Sequence, residues 1–513
     1  MLAWDRLDDH WDTTFSWLRY VSTLDKLASA VAKKAGVPET DVEVLGGGGV
    51  GSFNVVYPLR MKDDSLNLFV RIPIPHVTQL PDERYAAEVG ALRFIRQNTT
   101  IRTPTILYHG SQSENPDVGP FLVMDRIQNK WTLSEAFTGP RDPDNRDDPY
   151  MLDIKIPEER LLKVFSQVAP FMLQLLRHRF ARIGSLTETA EGSFEIRSRP
   201  MTTNMQAMLS IANIPQCALP AKNKTYQTTD AWYVACCDML WAPLLLQRND
   251  FVTSADDCRN KYVARHIIRR LAAQGKLSTF GFEEDAWSEQ SRRMRADQRP
   301  GSSSTPLCPA PAGSGPAAFP LWCDDFQTGN ILVDGDDNVT GVIDWEFTYA
   351  APAQFCLDPP WWLLIDQPEV WVLGLERFGE RFARTLTVWL KAVETVEKGL
   401  DLEAHHISQP WSMYMRQSWE TGRFWLNYGL RKGWAFDSIY WKFLDERFFG
   451  ERPKDVAKEE YWRSRIDLLS EKEKAGMEPF VEKKMNESKE KILVDDWDED
   501  EVARRFAEVI FDE

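Results

Sequence analysis

Cysteine is scarce in this sequence and is not arranged in pairs. Seven cysteines are scattered over 513 residues, and no two of them have the Cys-x-x-Cys spacing. Zinc ribbons need such pairs and small secreted domains need a disulfide framework, so both classes are disfavoured. The seven histidines lie outside every motif of the chain. The cysteine pattern therefore favours a protein of a reducing compartment.

Basic residues, long apolar runs and a basic leader are also lacking. Lys and Arg number 61 against 77 Asp and Glu, which leaves a formal net charge of −16. Because phosphate contacts supply most of the affinity for nucleic acids, an acidic chain binds them and anionic membranes poorly. No run of about 18 apolar residues occurs, and residues 1–17 carry acids where a targeting peptide carries Lys or Arg. We expect a cytoplasmic protein that binds neither nucleic acid nor membrane.

The first quarter of the chain alternates between β-rich runs and one helix. Residues 1–40 form an N-terminal helical segment in this prediction, because apolar residues recur every three or four positions over 12–35. A helix with Pro at its start is predicted at 81–98. Strands are predicted from β-branched and aromatic runs at 41–47, 53–61, 66–73, 105–110 and 121–127. This order describes a small antiparallel lobe over 41–127.

The remainder of the chain is mainly helical in pattern. A helical lobe that includes the loop region 322–347 is predicted over 128–450, with helices at 157–178, 228–247, 255–274, 369–398 and 409–450. Residues 299–320 hold 13 Pro, Gly and Ser among 22 positions, so a disordered insertion is expected there. Residues 451–513 hold 20 acids and 13 bases, which predicts a charged, solvated helical extension. The fold class is therefore α+β, with two lobes, one small and β-rich and one larger and helical.

Five glycines lie close together between the first two predicted strands. The run LGGGGVGSFN over 45–54 matches Gly-x-Gly-x-x-Gly at Gly46, Gly48 and Gly51. A dinucleotide-binding motif needs a helix directly after the glycines, whereas a β-rich run follows here. The glycines therefore join two strands, which is typical of a flap whose backbone N–H groups approach phosphate oxygens. The alternative is a flexible hairpin turn, which needs fewer glycines.

A cation and a carboxylate follow the glycines. Arg71 lies in the third predicted strand and Glu88 in the helix after it. A strand cation held by a helix carboxylate can contact the α- and β-phosphates of a nucleotide. Arg has a planar fork and a permanent charge, so phosphate contact is retained with a geometry that differs from that of Lys. The alternative is an ordinary surface ion pair. The nearby glycines make this alternative interpretation the weaker one.

The segment WCDDFQTGNILVDGDDNVTGVIDWEF, residues 322–347, carries the strongest chemical signal. Asp325 and Asn330 are five residues apart, and Asn330 and Asp344 are fourteen apart. A strand, a turn and a strand between them return Asp344 to the edge that carries Asn330. Phosphoryl transfer needs one carboxylate for the hydroxyl proton, and an amide and a second carboxylate for Mg²⁺. An acidic surface hairpin is the alternative, but it does not explain the apolar residues that flank these acids.

On these residues the chain resembles the aminoglycoside phosphotransferase and choline kinase-like group of the protein-kinase-like superfamily, especially its fungal-type members. The resemblance covers about residues 40–450, with CDDFQTGN and VIDWEF in the family's loop positions. It implies a kinase-like fold, ATP and Mg²⁺ as cofactors, Asp325 as catalytic base, and Asn330 and Asp344 as metal ligands. The implied nucleotide-binding residues are Gly47, Gly48, Gly49, Gly51, Ser52, Arg71, Glu88 and the adenine hinge Met124, Asp125, Arg126 and Ile127.

Two departures from the family leave rival interpretations open. Cys323 stands where the family usually has His, and Arg71 stands where it usually has Lys. The rival is a pseudokinase, a nucleotide-binding scaffold without turnover; a nucleophilic Cys323 is disfavoured because no His lies near it in sequence. A protein acceptor is disfavoured because no Ala-Pro-Glu-like activation segment follows Asp344.

The expected acceptor is a hydroxyl group of a small molecule. Glu346 and Asp366 lie near the candidate motif in sequence and would suit a cationic acceptor, such as an amine or an aminoglycoside-like compound. Asp358, in the segment LDPPWWLL, is implied by the resemblance to brace the catalytic loop. The sequence does not identify the acceptor or the oligomeric state.

Overall fold

The computed structural model describes residues 21–62, 67–141, 149–249, 251–297, 306–494 and 496–511. This part of the chain divides into two compact units, each drawn from three stretches of sequence. As far as they are described, Met1–Ala136, Ser185–Ala212 and Cys323–Tyr349 form the first unit. The second unit comprises Phe137–Gly184, Asn213–Trp322 and Ala350–Glu513.

The strands are short, and most of them belong to the first unit. In chain order they are β1 Val42–Val44, β2 Gly49–Val50, β3 Asn54–Met61, β4 Leu68–Pro73, β5 Ile106–Gly110, β6 Phe121–Asp125, β7 Trp131–Thr132, β8 Arg179–Phe180, β9 Ser185–Glu188, β10 Phe194–Ser198, β11 Phe319–Cys323, β12 Ile331–Val333, β13 Val339–Val342 and β14 Thr348–Ala350.

The α-helices lie mainly in the second unit. In chain order they are α1 Val21–Ala35, α2 Pro81–Asn98, α3 Leu133–Phe137, α4 Glu158–Arg177, α5 Thr203–Ser210, α6 Thr229–Leu246, α7 Ala255–Ala273, α8 Glu289–Ala296, α9 Ala353–Cys356, α10 Gly374–Val396, α11 Trp411–Thr421, α12 Arg423–Arg431, α13 Phe436–Ile439, α14 Asp445–Phe449, α15 Glu471–Glu490 and α16 Glu499–Ala507.

An antiparallel sheet in the order β1-β3-β4-β6-β5, with β2 paired to β3, forms the centre of the first unit. Alternate residues of β3, among them Val55 and Tyr57, point to one face and are buried there with Leu27 and Val31 of α1. The opposite face packs against α2 through a cluster that includes Tyr85. The predicted antiparallel sheet with one packed helix is therefore confirmed, and the α+β class with it. Residues 12–20 of the predicted first helix lie outside the described residues.

The hairpin of the candidate loop region pairs with a strand of the first unit. β12 and β13 form the predicted antiparallel hairpin, with Ile331 opposite Val342. β12 also pairs with β7, where Leu332 lies opposite Thr132. This pairing explains why Cys323–Tyr349 belongs to the first unit, whereas the sequence analysis assigned residues 322–347 to the helical lobe.

The helices predicted for the second unit are present with one exception. α4, α6, α7 and α10 lie within the ranges 157–178, 228–247, 255–274 and 369–398. The single helix predicted at 409–450 is wrong. The chain there breaks at Gly422 and again after Arg431, and it includes a π-helical turn at Tyr440–Leu444. Sequence periodicity also missed the β9–β10 hairpin, whose strands are only four and five residues long.

The insertion predicted to be disordered is ordered over residues 306–320. Leu307 and Cys308 are buried. Gln417 in α11 accepts a hydrogen bond from the Cys308 N–H at 2.7 Å and donates to the Pro306 carbonyl at 2.8 Å. Helix side chains therefore satisfy the backbone of this Pro-rich stretch, whose restricted φ angles lower the entropy lost on ordering. Residues 299–305 of the prediction lie outside the described residues.

The C-terminal extension is helical, but it is not merely solvated. Met477, Phe480 and Val481 of α15 are buried, as is Val502 of α16. Their apolar side chains give the extension a face that packs within the second unit, which the count of charges concealed. Within the described ranges, no helix combines the length and the apolar composition that a membrane crossing requires.

Candidate active site

The flap glycines and Arg71 share one row across the sheet of the first unit. Gly49 pairs with Val56, Val56 with Arg71, and Arg71 with Leu122 on four successive strands. Cross-strand partners point to the same face, and neighbouring strands are about 4.8 Å apart, so Gly49 lies roughly 10 Å from Arg71 on one face. Register alone therefore brings the glycines and the cation to one side of the sheet.

The glycine run forms a turn and a short hairpin, as predicted. The Gly51 N–H donates to the Asn54 carbonyl at 2.9 Å and closes the tip, where Gly51 and Ser52 are exposed. A Cβ at Gly48 would lie 2.6 Å from the Val56 carbonyl oxygen, so a side chain cannot be accommodated there. The close approach requires glycine at this position, whereas exposure leaves the tip open to a ligand. Contact of this tip with phosphate stays a prediction.

Arg71 forms the predicted ion pair and a second one that the sequence did not indicate. Its Nη2 donates to Glu88 Oε2 of α2, and its Nη1 lies 3.5 Å from Asp344 Oδ1. The Arg71 guanidinium is buried and lies 5.2 Å from the centre of the Tyr85 ring. Burial alone would lower the pKa of Arg71, but Glu88 and the other carboxylates raise it well above its usual range. This pair is not an ordinary surface salt bridge.

Asp344 has an unusual backbone and a perturbed carboxyl group. Its φ angle is 61°, in the left-handed region, which is uncommon for non-glycine residues. Its side chain is 28% exposed, so one edge of the carboxylate faces solvent. Burial of the remainder, together with the charge of Glu346, raises the pKa of Asp344 well above the ordinary value. A carboxylate in this state is stabilised by any cation that reaches its open edge.

The loop that carries Asp325 and Asn330 is held together by side-chain hydrogen bonds. Asn330 Nδ2 donates to the Asp325 carbonyl at 2.8 Å and to Asp325 Oδ2 at 3.2 Å, and Gln327 Nε2 donates to Asp325 Oδ1 at 2.9 Å. The Ile343 N–H donates to the Asn330 carbonyl at 2.9 Å. The three predicted residues Asp325, Asn330 and Asp344 are therefore linked through adjacent backbone, and the charge of Asp325 contributes to the raised pKa of Asp344.

The two neighbouring aspartates of this loop have different environments. Asp324 is buried and accepts a hydrogen bond from the Tyr349 hydroxyl at 3.3 Å. Asp325 is partly exposed. Only the second of them can meet an acceptor from solvent, which agrees with the five-residue spacing to Asn330.

Cys323 is a buried residue at the end of β11. Burial raises the pKa of its thiol well above the ordinary value, so the thiol stays protonated at neutral pH. A nucleophilic cysteine needs a lowered pKa and access to its target, and Cys323 has neither.

A second buried ion pair next to Asp344 was missed in the sequence. Arg84 of α2 lies 2.6 Å from Glu346, and both side chains are fully buried. The Arg84 guanidinium stacks between the rings of Phe53 and Phe347 at 4.9 and 4.8 Å. The interpretation of Glu346 as an acid for a cationic acceptor is therefore wrong. The available signal was Arg84 itself, which lies four residues before Glu88 on the same helix face.

Asn54 extends this pair into the flap. Its Nδ2 donates to Glu346 Oε2 at 3.2 Å, and its Oδ1 accepts from the Tyr85 hydroxyl at 3.1 Å. The first residue of β3, which follows the flap, is thus tied to the segment that carries Asp344.

The predicted hinge continues from β6. Met124 is buried on the same sheet face as Arg71, and the Asp125 carboxylate accepts from Thr105 N–H and hydroxyl at 2.6 and 3.0 Å. The N–H groups of Asp125 and Arg126 donate to the carbonyls of Thr105 and Asn67. No described residue accepts a hydrogen bond from the Ile127 N–H. If this segment pairs with adenine, Ile127 supplies the donor.

Asp358 lies in the second unit and has partners there. Its carboxylate accepts from Ser418 at 2.6 Å and from Asn427 at 2.7 Å, and it pairs with Arg423 at 3.3 Å. It therefore ties α11 and α12 to its own segment, and these partners differ from the catalytic loop that it was expected to brace.

The residues of the first unit fit a divalent metal such as Mg²⁺. Arg71 and Arg84 carry two positive charges against the three carboxylates of Glu88, Asp344 and Glu346, so the cluster has a net charge of −1. Asn330 Nδ2 is engaged with Asp325, which leaves its Oδ1 as an oxygen ligand. In the described ranges no group of three or more His, Cys, Asp or Glu is placed to hold a metal. A metal with one carboxylate and one amide would complete its shell with phosphate and water oxygens, as Mg²⁺ prefers.

Comparison with known proteins gives short or distant likenesses. No family model matches the chain. The Clavilactone A biosynthesis cluster protein Y of Ampulloclitocybe clavipes is 48% identical over 46 residues, which are 9% of this chain and 11% of that protein. The match thus spans little more than a tenth of that relative.

The structural neighbours include phosphotransferases and kinases of small molecules. A macrolide 2'-phosphotransferase type I has 12% identity and a TM-score of 0.36, over 84% of this chain and 96% of that one. An ADP-bound aminoglycoside phosphotransferase has 12% identity and a TM-score of 0.32, over 88% of this chain and 97% of that one. The ethanolamine kinase of Plasmodium vivax has 9% identity and a TM-score of 0.35, over 83% of this chain and 81% of that one. Likenesses at these identities and TM-scores do not carry a functional argument, so the side chains of the site must.

Proposed function

We propose that this chain is an ATP-dependent phosphotransferase that moves the γ-phosphate to a hydroxyl group of a small molecule. One observation carries the proposal: the Arg71 guanidinium is shared between Glu88 and Asp344, beside the Asp325–Asn330 loop. A buried cation, a strained carboxylate with an open edge and a neighbouring amide oxygen suit a polyphosphate with its metal. The resemblance to fungal-type aminoglycoside phosphotransferases and choline kinases supports the same class.

Each residue has a distinct role in this proposal. Asn330 Oδ1 and the Asp344 carboxylate would hold Mg²⁺, which when bound neutralises charge on the β- and γ-phosphate oxygens. Asp325 accepts the proton of the acceptor hydroxyl as its oxygen bonds to the γ-phosphorus and ADP leaves with the electron pair of the broken bond. Arg71, positioned by Glu88, contacts the phosphates of the donor. The flap Gly47–Ser52 covers the phosphates with backbone N–H groups, and Ile127 binds adenine.

The acceptor is proposed only as a class. Glu346 is removed from consideration as a binding residue for a cation, so the preference for a cationic acceptor rests on Asp366 alone. Purified protein can be screened for ATP consumption with amines, sugars and aminoglycosides to identify the compound.

A pseudokinase is the second candidate, because Cys323 stands where the family usually has His and Arg71 stands where it usually has Lys. In that case the chain binds a nucleotide weakly or without metal, and no acceptor is phosphorylated.

Metal dependence of ATP binding separates these candidates. We expect ATP affinity to rise by about tenfold or more when Mg²⁺ is added, the equivalent of at least about 1.4 kcal/mol. Asp344→Asn should lose this gain, because the amide no longer offers a charged ligand. Calorimetry with MgCl₂ or EDTA measures it.

Asp336→Asn is the matched control, since Asp336 lies on the exposed turn of the same hairpin. It should keep the full gain in affinity. Equal ATP affinity of the wild type with and without Mg²⁺ would contradict the metal assignment and support the pseudokinase.

A further inference from the structure

Helix α2 anchors both sides of the segment that carries Asp344. Arg84 and Glu88 are one helical turn apart on the same face of α2. Glu88 holds Arg71, which reaches Asp344, and Arg84 holds Glu346 two residues further along. A displacement of α2 would therefore move both anchors at once.

The polar contacts that hold α2 come from a distant stretch of the first unit, residues 185–212. Arg199 binds Glu83 through two hydrogen bonds of 3.1 Å, from Nε and Nη2. Gln206 of α5 accepts from Arg84 Nη1 at 2.7 Å and donates to the Val77 carbonyl at 2.8 Å. The amide of Gln206 thus connects α5 both to the helix and to the chain that leads into it.

Residues 185–212 also pack directly against α2. A Cβ at Gly90 of α2 would lie 2.7 Å from the Leu186 carbonyl oxygen of β9, so the helix meets the backbone of the β9–β10 hairpin without any side chain between them. The rings of Phe94 and Phe194 pack edge to face at 5.3 Å. Gly lowers helix propensity, so its presence in the middle of α2 is explained by this approach.

We propose that residues 185–212 are a positioning element for the phosphate site: they clamp α2 before any ligand binds. From the clamped helix, Glu88 holds Arg71, and Arg84 holds Glu346, two residues from Asp344. This inference rests on the proposed function, because it assigns the clamp a role in binding Mg·ATP. Gly90, Arg199 and Gln206 are positioning residues, since they act through α2. Gln206 contacts Arg84, which is itself a positioning residue and not a proposed donor-binding group.

The first test replaces Gly90 with Ala. The added methyl group meets a backbone oxygen, which cannot rotate away, so β9 and α2 must separate. We expect the affinity for Mg·ATP to fall by about tenfold to a hundredfold, as small displacements of positioning groups do. The ratio of ATP affinities with and without Mg²⁺ should fall with it. Measurements are made by calorimetry at a temperature where circular dichroism shows the variant folded.

The second test uses Arg199, which does not alter the packing at Gly90. Arg199→Met removes the bridge to Glu83 and keeps most of the volume, whereas Arg199→Lys keeps the charge. We expect the Met variant to lose Mg·ATP affinity and the Lys variant to recover most of it. Arg197→Met is the matched control, because Arg197 is exposed on the same hairpin and its one ion pair among the described residues is with Glu195.

Hydrogen–deuterium exchange of the α2 amides, measured without nucleotide, separates this inference from the proposed function. Faster exchange in Gly90→Ala and Arg199→Met, but not in Arg197→Met, is expected. If the wild type does not bind Mg·ATP, the proposed function fails while the exchange still decides whether the clamp exists. Unchanged exchange and unchanged Mg·ATP affinity in folded variants would overturn the clamp. Loss of the whole fold in both variants would also overturn it, because a share in global stability is not a positioning role.

Discussion

Several charged side chains of the candidate site are buried. Arg84 and Glu346 are fully buried, and Arg71 and Glu88 nearly so. Transfer of an ion out of water costs several kcal/mol, and loss of one partner of a buried pair typically costs about 3–5 kcal/mol. Each of these residues is therefore sensitive to substitution even where it touches no ligand.

Glu473 in the second unit is a buried carboxylate whose contribution to stability should depend on pH. Burial alone would raise the pKa of its carboxyl, but hydrogen bonds from His266, the Ser470 N–H and Arg270 outweigh burial and lower the pKa to about 2. A lowered pKa in the folded state gives stability that is complete above the ordinary value of 4.5 and is lost as the pH falls towards 2.

Glu473→Gln should therefore cost on the order of 2–3 kcal/mol at pH 7 and progressively less below pH 4.5. Urea unfolding at several pH values measures the difference. Glu478→Gln on the same helix is the control, because Glu478 is 58% exposed and its pair with Arg259 should contribute less than about 1 kcal/mol. A cost for Glu473→Gln that does not change with pH would show that the carboxyl is not held by these partners.

Sequence spacing could predict that Asp325, Asn330 and Asp344 lie close together, because all three lie within one hairpin and its preceding loop. The pairing of Arg71 with Glu88 was predictable for a similar reason, since the two residues belong to consecutive elements. Glu346 was misread because its partners are distant in the chain; Asn54, for example, is 292 positions away. No local pattern reports a partner at that separation, and an acid beside a motif looks available until its neighbour is seen.

At the scale of elements, periodicity and turn residues predicted the main-sheet strands other than β2 and the long helices α2, α4, α6, α7 and α10. Composition misled in two places. Residues 306–320 are rich in Pro and Gly, yet helix side chains satisfy their backbone and Leu307 is buried. The charged extension buries an apolar stripe that includes Phe480. Composition counts residues and ignores their positions, so it does not detect a few apolar side chains that are well placed.

The ordered state of residues 306–320 can be tested at Leu307. Leu307→Ala should destabilise the protein by about 2 kcal/mol or more, which is typical of a buried leucine. Ala312→Ser, at an exposed position of the same stretch, should stay within about 0.5 kcal/mol of the wild type. Thermal and urea unfolding measure both. Equal stability of the two variants would contradict the ordered state of residues 306–320 and support the prediction of a disordered insertion.

At the scale of the whole molecule, the first unit is assembled from three separate stretches of chain. The elements of 185–212 and 323–349 are short, and nothing in their local pattern indicates that they belong to the same unit as the sheet of residues 42–125. The candidate site depends on both stretches: one brings Asp325, Asn330 and Asp344, and the other holds the helix that carries Glu88. Motif spacing predicted which residues of the candidate site lie together, whereas the assembly that positions them needed the structure.

The central claim is that Asp325 is the base of a phosphoryl transfer. Asn at this position keeps the volume, the bond from Asn330 to the backbone carbonyl and one of the two side-chain hydrogen bonds that Asp325 accepts. It cannot accept the proton, and general-base assistance is typically worth about 10²–10⁴-fold. Asp324→Asn is the matched neighbour: it removes a charge from a buried residue bonded to Tyr349, so it should lower stability more than turnover.

The most direct test measures transfer of labelled γ-phosphate from Mg·ATP to the acceptor found by screening, in the wild type and in these two variants. The expected result is turnover by the wild type and by Asp324→Asn, and a loss of about 10²–10⁴-fold in Asp325→Asn with Mg·ATP affinity within a few fold of the wild type. An inactive Asp324→Asn beside an active Asp325→Asn would contradict the register of the catalytic loop, and a wild type that binds Mg·ATP but phosphorylates no acceptor would contradict the function itself.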